Sequence, residues 1–184
     1  MKRFFALLVV LLVAVPCIPC ALADDGVYVP SYRSFMESFT GQIKNINNDL
    51  YQAIVEDCFV DGQWIEPTNS SYNKVSCYTV PVDLRIYEGN GFPKDIYITI
   101  PREKLETDEE LFKDIILAVG TSVITNADDK FKETFFDNLY YDYALNSPAG
   151  YISMYWNCGV YLFNTTKSSR EIQCVISLSV YEAE

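Results

Sequence analysis

After residue 30, the apolar positions are first spaced like the residues on one face of a helix. Apolar residues recur every three or four positions over residues 32–53, which is helical spacing. Gly41 and the polar stretch 45–49 interrupt the pattern, and Asp49 is a candidate N-cap for a second piece. The pattern therefore predicts one or two helices with a buried stripe of Tyr32, Phe35, Phe39, Ile43, Ile46, Leu50 and Ala53.

Four segments with the composition of β-strands follow this helical region. Each is rich in β-branched and aromatic residues, and segments typical of turns separate them. Because the connections are short, we expect consecutive strands to pair antiparallel. The predicted strands are residues 58–66, 74–80, 83–89 and 95–101.

Two further helices are predicted in the middle of the chain. Thr107 and Glu110 have the spacing of a capping box, at the start of a helix that runs to about residue 124. Asn126, with Asp129 three residues later, is a candidate N-cap for the next helix. The inner positions are Leu111, Ile115, Val119 and Val123 in the first helix, and Phe131, Phe135, Leu139 and Tyr143 in the second.

Three more strands, residues 151–156, 160–164 and 171–181, complete an element order of α-ββββ-αα-βββ. This order predicts an α+β fold in which helices pack on an antiparallel sheet. Segments 69–80 and 166–178 both run from a Ser-Ser turn into a strand with a cysteine. Residues 24–184 are therefore interpreted as a single domain, with two tandem pseudo-repeats (24–105 and 106–184) as an option within it. That layout, and nothing else in the chain, resembles the bacterial β-lactamase inhibitor proteins.

The first 23 residues have the features of a secretory signal peptide. Lys2 and Arg3 precede the apolar run 4–15, and small residues at 21–23 fit a signal-peptidase site. We expect cleavage after Ala23 and hence a secreted or cell-envelope location. A lipid anchor at Cys20 is the alternative, because the acylated cysteine would then become the new N-terminus.

Composition narrows the range of partners. The chain carries 25 acidic and 14 basic residues, a net charge of −11, so we expect no binding to nucleic acid or to anionic lipid surfaces. No apolar run is long enough for a transmembrane span. No motif for a cofactor is present. Residues 126–137 do not fit a calcium-binding loop, because Lys130 occupies the fifth position and Phe131 the sixth, where glycine is required.

Four cysteines follow the predicted signal peptide, an even number in a chain expected to be exported. This predicts two disulfide bonds, and the absence of a CxxC pair among these four makes a metal site the weaker interpretation. We expect hairpin pairings, with turns centred near residues 67–68 and 166, whereas the competing pairings would link the two halves. The predicted pairs are Cys58 with Cys77 and Cys158 with Cys174.

The chain contains no histidine, which excludes the usual Ser-His-Asp and Cys-His catalytic systems. Any catalysis would have to use carboxylates, lysine, tyrosine or a bound ion, and Asp57, Asp61 and Glu66 are candidates for a carboxylate-based hydrolase. We therefore favour a protein that binds rather than catalyses, with an enzyme as the alternative.

Aromatic residues concentrate in the second half of the chain. Tyrosine offers a large apolar ring and a hydroxyl at low entropic cost, and it is enriched in binding surfaces. The sequence thus predicts a tyrosine-rich surface that contacts another protein or a cell-surface polymer, with a carbohydrate-binding module as the alternative. The candidate binding residues are Tyr140, Tyr141, Tyr151, Tyr155, Trp156 and Tyr161.

Overall fold

The structure is a computed structural model that describes residues 29–67, 71–124 and 127–178. The predicted signal peptide, Asn126 and residues 179–181 of the last predicted strand lie outside the described residues. The helices are α1 (Tyr32–Ile46), α2 (Asn48–Cys58), α3 (Leu105–Val123), α4 (Asp129–Asn138) and α5 (Tyr141–Asn146), and a 3-10 turn (Arg102–Lys104) precedes α3. The strands are β1 (Phe59–Val60), β2 (Gln63–Trp64), β3 (Tyr72–Val75), β4 (Asp83–Gly89), β5 (Phe92–Pro101), β6 (Ile152–Cys158), β7 (Tyr161–Lys167) and β8 (Glu171–Leu178).

Six strands form one antiparallel sheet in the order β3-β4-β5-β8-β7-β6, while β1 and β2 form a separate small hairpin. Each half of the chain contributes three consecutive strands, and the last strands of the two halves, β5 and β8, pair with each other in the centre. The predicted α+β class, with helices packed on an antiparallel sheet, is confirmed. The two halves share this sheet and one hydrophobic core.

The core lies between the helices and one face of the sheet, which we call the inner face. Alternate residues of the central strands are buried there, because successive side chains of a strand point to opposite faces. Helices α1 and α3 supply the facing apolar stripes and contact each other and β5. The central strands contribute Leu84, Ile86, Ile96, Ile98, Ile100, Ile172, Cys174 and Ile176 to this core.

The break between the first two helices lies at Asn47. Its backbone is extended, and its side-chain oxygen accepts a hydrogen bond from the Leu50 amide at 2.9 Å, so Asn47 caps α2. The predicted cap at Asp49 is therefore wrong by two positions. Gly41 does not interrupt α1, which continues through it.

The start of α3 also differs from the capping-box prediction. The helix begins at Leu105, and the Thr107 hydroxyl donates to the carbonyl of Lys104 and to the Asp108 carboxylate. Thr107 cannot be the cap because its own backbone is already within the first turn. A single non-helical residue, Asp108 (φ −125°), marks the kink that follows.

The helical pattern predicted up to residue 143 divides at Tyr140. Asp128 caps α4 by accepting a hydrogen bond from the Phe131 amide, and Tyr140 adopts a left-handed conformation (φ 55°) between α4 and α5. This break changes the phase of the apolar stripe. As a result Tyr141 is buried, whereas Tyr143, predicted as an inner residue, is exposed.

Two hairpins are closed by residues with positive φ. Asp61 and Gly62 (φ 53° and 78°) join β1 to β2, and Asn90 and Gly91 (φ 55° and 83°) join β4 to β5, as type I′ turns require. The single strand predicted at 58–66 is therefore a hairpin that follows the end of α2. The strand predicted at 74–80 is instead β3, which ends at Val75.

None of the helices within the described residues combines the length and hydrophobicity needed to span a membrane.

Candidate functional site

The structure does not gather the six predicted aromatic residues into one surface. Tyr141 and Tyr161 are buried in the core, where the Tyr161 hydroxyl donates to the Pro93 carbonyl at 3.3 Å. Trp156 points to the inner face and packs against Phe163, with ring centroids 5.1 Å apart. These three residues support the fold: Trp156 and Tyr161 occupy positions of β6 and β7 that face the helices, and Tyr141 is a buried residue of α5.

The other three candidates are exposed but lie in different places. Tyr140 is 49% exposed at the α4–α5 junction, and Tyr151 is 66% exposed just before β6. Tyr155, 58% exposed, lies in the middle of β6 on the side of the sheet opposite the helices. Tyr155 is therefore the one member of the set that belongs to a larger exposed surface.

That larger surface is the outer side of the six-stranded sheet, which we call the open face. No helix among the described residues covers it, and its side chains are partly exposed where those of the inner face are buried. It consists of three cross-strand rows, given in order from β3 to β6. The rows are Tyr72, Tyr87, Asp95, Ser177, Leu162 and Asn157; then Lys74, Arg85, Tyr97, Val175, Asn164 and Tyr155; then Asp83, Thr99, Gln173, Thr166 and Ser153.

One half of the open face is an aromatic cluster built by β3, β4 and β5. The rings of Tyr72 and Tyr87 lie 4.8 Å apart and those of Tyr87 and Tyr97 lie 5.4 Å apart, both in the tilted or edge-on geometries that aromatic pairs prefer. The guanidinium of Arg85 lies 5.6 Å from the Tyr72 ring centroid, within range of a cation–π interaction. These contacts hold three tyrosine rings in fixed positions.

The electrostatics of this half favour the neutral form of Tyr97 and the charged form of Arg85. Partial burial, followed by the nearby Asp95 and Tyr87, raises the pKa of Tyr97. The hydrogen bond from Arg85 to the Asp83 carboxylate raises the pKa of the Arg85 guanidinium. Within the three rows Lys74 and Arg85 balance Asp83 and Asp95, so the open face is neutral on a chain of net charge −11.

The other half of the open face is an array of hydroxyl and amide groups. The Gln173 side chain donates to the Thr99 hydroxyl at 3.0 Å, across β8 and β5. Ser153 donates to the Asn164 side-chain oxygen at 2.7 Å, across β6 and β7, and Thr166 donates to the same oxygen at 3.2 Å from within β7. These hydrogen bonds fix the side chains in place before any partner binds, which reduces the entropy lost on association.

The three carboxylates considered for hydrolysis have different surroundings. The Asp57 side chain accepts a hydrogen bond from the Ser76 amide at 2.7 Å, Asp61 lies in the β1–β2 turn, and Glu66 is exposed. Burial and the neighbouring Glu110 raise the pKa of the Asp114 carboxyl, but Asp114 lies on an exposed part of α3. Within the described ranges, no three Asp, Glu or Cys residues are grouped so as to hold a metal ion.

Two concave regions lie on the helical side. A groove of about 610 Å³ runs between α1 and the end of α3, where Gln42 donates to Ser122 and accepts from Thr121, each at 3.0 Å. Its polar groups thus largely satisfy one another and join the two helices. A smaller pocket of about 200 Å³ at the α4–α5 junction is lined by Phe136, Asp137, Tyr140, Tyr141, Asp142 and Tyr143.

The cysteines form no disulfide bond in the part of the chain that the structure describes. The Cys158–Cys174 pairing is wrong, because residue 166, its predicted turn centre, lies inside β7, and that strand separates β6 from β8. The Cys58–Cys77 pairing stays a prediction. Asp57 and Ser76, the residues before these two cysteines, are hydrogen-bonded, so the cysteines lie in adjoining segments.

Sequence reasoning missed the aromatic cluster in the first half of the chain. The signal was present in the alternation of β4 and β5, where Arg85 and Tyr97 lie between buried leucine or isoleucine residues and Tyr87 continues the alternation after Ile86. A strand with one buried face presents such positions to the other side of the sheet.

Comparisons of the chain with protein-family models, with curated proteins and with solved structures gave no match. They therefore lend no support to the resemblance in layout to β-lactamase inhibitor proteins.

Proposed function

We propose that this chain is an exported protein that binds another protein through the open face of its sheet. The observation that carries the proposal is the continuous, uncovered array in which four tyrosines (Tyr72, Tyr87, Tyr97 and Tyr155) and Arg85 lie among hydroxyl and amide groups. Tyrosine and arginine are enriched at the centres of protein interfaces, where they supply much of the binding energy.

The dimensions of the open face suit a protein better than a small molecule. Six strands spaced by about 4.8 Å make a surface roughly 24 Å wide, and three rows about 7 Å apart make it several hundred Å² in area. One side of a standard protein interface buries about 800 Å². Small ligands favour concave sites that enclose them, and the open face is the outer side of a sheet.

The neutrality of the open face supports the same interpretation. Interface centres are depleted in charge, whereas the remainder of this chain is strongly acidic. Two of the four charged residues in the three rows, Arg85 and Asp83, already pair with each other at 2.5 Å, so a partner need not supply a counter-charge to Arg85. The expected partner surface is therefore apolar or aromatic with neutral hydrogen-bonding groups.

A photo-reactive amino acid in place of Tyr97 tests this proposal even while the partner is unidentified. The variant would be incubated with the extracellular and envelope fractions of the source cells, irradiated, and cross-linked proteins identified by mass spectrometry. We expect one or a few specific adducts. The matched control is the same substitution at Tyr143, a tyrosine 62% exposed that lies off the sheet on α5.

Competition makes the result decisive. Unmodified chain added in excess should abolish the adducts at position 97, whereas the variant Tyr87→Lys should compete about 30-fold less well, as expected for loss of about 2 kcal/mol at an interface centre. Absence of adducts at position 97, or equal competition by Tyr87→Lys, would overturn the proposal.

A carbohydrate-binding module is the second candidate, and the pocket at the α4–α5 junction is the observation that favours it. Tyr140 and Tyr143 offer exposed rings for stacking on a sugar, and Asp137 and Asp142 offer acceptors for its hydroxyls. Binding to polysaccharide that Tyr143→Ala abolishes and Tyr87→Lys leaves intact would favour this candidate over the open face.

A further inference from the structure

The two edges of the six-stranded sheet are protected to different degrees. At one edge β3 has four residues and includes Lys74, features that discourage pairing with another chain. At the other edge β6 has seven residues, Ile152–Cys158, with no charged residue, no proline and no register shift against β7. No strand among the described residues pairs with its outer side, so β6 offers an unguarded row of backbone donors and acceptors.

The turn after β6 determines which backbone groups face outward. Gly159 and Val160 form a two-residue loop, and Gly159 has φ +62° at its first position, where a type II′ turn requires glycine. The flanking pair, Cys158 and Tyr161, is then hydrogen-bonded, and every second residue of β6 bonds to β7. The N–H and C=O groups of the intervening residues, Ser153, Tyr155 and Asn157, therefore point away from the sheet.

These three outward residues are arranged symmetrically about the middle of the strand. Tyr155 is the central residue of Ile152–Cys158, and Ser153 and Asn157 lie two positions on either side. A second β6 brought alongside in antiparallel orientation, with Tyr155 opposite Tyr155, would pair Ser153 with Asn157 of the other copy. Every outward group would then be used, in about six backbone hydrogen bonds.

We propose that two copies of this chain associate through antiparallel pairing of their β6 strands about a twofold axis at Tyr155. Such an interface is isologous, because the same residues serve on both sides. On the inner face Met154 lies opposite Trp156 and Ile152 opposite Cys158, so apolar side chains meet apolar ones. On the open face the two Tyr155 rings meet, and the two sheets join into one.

The dimer is weak and strengthens with salt. A single added strand buries less than the roughly 1,200 Å² of a stable complex, so we expect a dissociation constant in the micromolar range. Each copy has a net charge of −11 while β6 carries no charge. Salt therefore screens only the repulsion between copies, and dimerisation should become tighter as ionic strength rises.

Sedimentation equilibrium of the purified chain, over concentrations of about 1 to 500 µM around the expected dissociation constant, tests the proposal. The unmodified chain should show a monomer–dimer equilibrium, and Tyr155→Lys and Tyr155→Glu should each be monomeric, since like charges would meet at the axis. An equimolar mixture of the two variants should form a heterodimer, since the opposing charges then attract. The control Tyr143→Lys, on α5, should dimerise as the unmodified chain does.

Recovery in the mixed sample is specific to this geometry, because only a twofold axis at residue 155 places the two substituted side chains opposite each other. A monomeric unmodified chain at 500 µM, dimerisation of Tyr155→Lys alone, or a monomeric mixture would each overturn the proposal. The proposal does not depend on a protein partner at the open face: Tyr87→Lys should weaken partner binding and leave the dimer intact.

Discussion

Gly120 of α3 packs so closely against α4 and β7 that an added methyl group would contact residues of both elements. A β-carbon built there would lie 2.6 Å and 2.7 Å from ring atoms of Phe135 and 3.6 Å from Phe163. The Phe135 ring cannot move aside easily, because the rings of Trp156 and Phe163 pack against it at 5.6 and 5.7 Å. Close packing of two helices on the sheet therefore requires a residue without a side chain at position 120.

The contact with Phe135 determines whether alanine at position 120 raises or lowers the free energy of unfolding. Helix propensity alone favours Gly120→Ala by about 1 kcal/mol, but the overlap with Phe135 should reverse this and lower the free energy of unfolding by about 1–3 kcal/mol. Urea denaturation measures the difference. In the matched control Gly41→Ala, no described atom apart from the adjoining residues and the backbone of α1 lies within 4 Å of the new β-carbon, and we expect a gain of about 0.5–1 kcal/mol. Stabilisation by both substitutions would show that the Phe135 ring can yield.

Single residues were the least predictable level of this structure. The sequence marks Gly120 only as a glycine inside a helical pattern, and nothing local distinguishes it from Gly41. Its role depends on a ring 15 residues away in the chain, which packing alone brings into contact. For the same reason, the roles of Tyr155 and Trp156, adjacent in sequence, could be told apart only once the structure showed which face of the sheet each side chain occupies.

Among the secondary-structure elements, α5 has an unusual attachment to the sheet. Lys167 is 2% exposed on the inner face of β7, and its ammonium donates to the backbone carbonyls of Leu145 and Ser147 at the end of α5. Carbonyls at the C-terminus of a helix lack partners within the helix, and a cation there also interacts favourably with the helix dipole. Lys167 therefore joins a six-residue helix to the sheet.

Substitution of Lys167 by Met keeps the length and apolar stem of the side chain but removes the ammonium. Two partly buried carbonyls would lose their donor, and we expect a loss of about 1–3 kcal/mol in the free energy of unfolding. Amide hydrogen exchange should locate the effect, with faster exchange in α5 than in α1. In the control Lys130→Met, at an exposed position on α4, the change should stay within about 0.5 kcal/mol. Equal effects of the two variants would contradict the attachment.

Elements were predicted well where the local pattern was sufficient and poorly where a turn interrupted it. The alternation of residues 83–89 matches the bounds of β4. The Asp61-Gly62 pair falls within a predicted strand although it is typical of a hairpin turn, and the left-handed residue Tyr140 had no sequence signal, because tyrosine seldom adopts that conformation. The error in the Cys158–Cys174 pairing followed from placing a turn within β7.

At the scale of the whole molecule, the sheet separates a core that contains protonated cysteine thiols and tyrosine hydroxyls from an open face with no net charge. Burial raises the pKa of the Cys58 and Cys174 thiols to about 12, and burial also raises the pKa of Tyr32, Tyr141 and Tyr161. Each of these groups remains protonated in the folded state at a pH where the unfolded chain has released the proton. The contribution of these groups to stability is therefore complete below about pH 9 and is lost as the pH rises toward 12.

The pH dependence of unfolding follows from these groups together with the absence of histidine. We expect a nearly constant free energy of unfolding between about pH 6 and 8. Above pH 9 it should fall by up to about 1.4 kcal/mol per pH unit for each group ionised only in the unfolded chain. Tyr141→Phe is the diagnostic variant, because the Tyr141 hydroxyl is buried with no hydrogen-bond partner among the described residues, and its removal leaves the packing unchanged. Urea denaturation at intervals from pH 6 to 11 should show unchanged or higher stability for Tyr141→Phe near pH 7 and a shallower decline above pH 10. An unaltered alkaline slope would mean that Tyr141 ionises equally in the folded and unfolded states, and hence that the ring is not buried against Phe112 of α3 and Phe136 of α4.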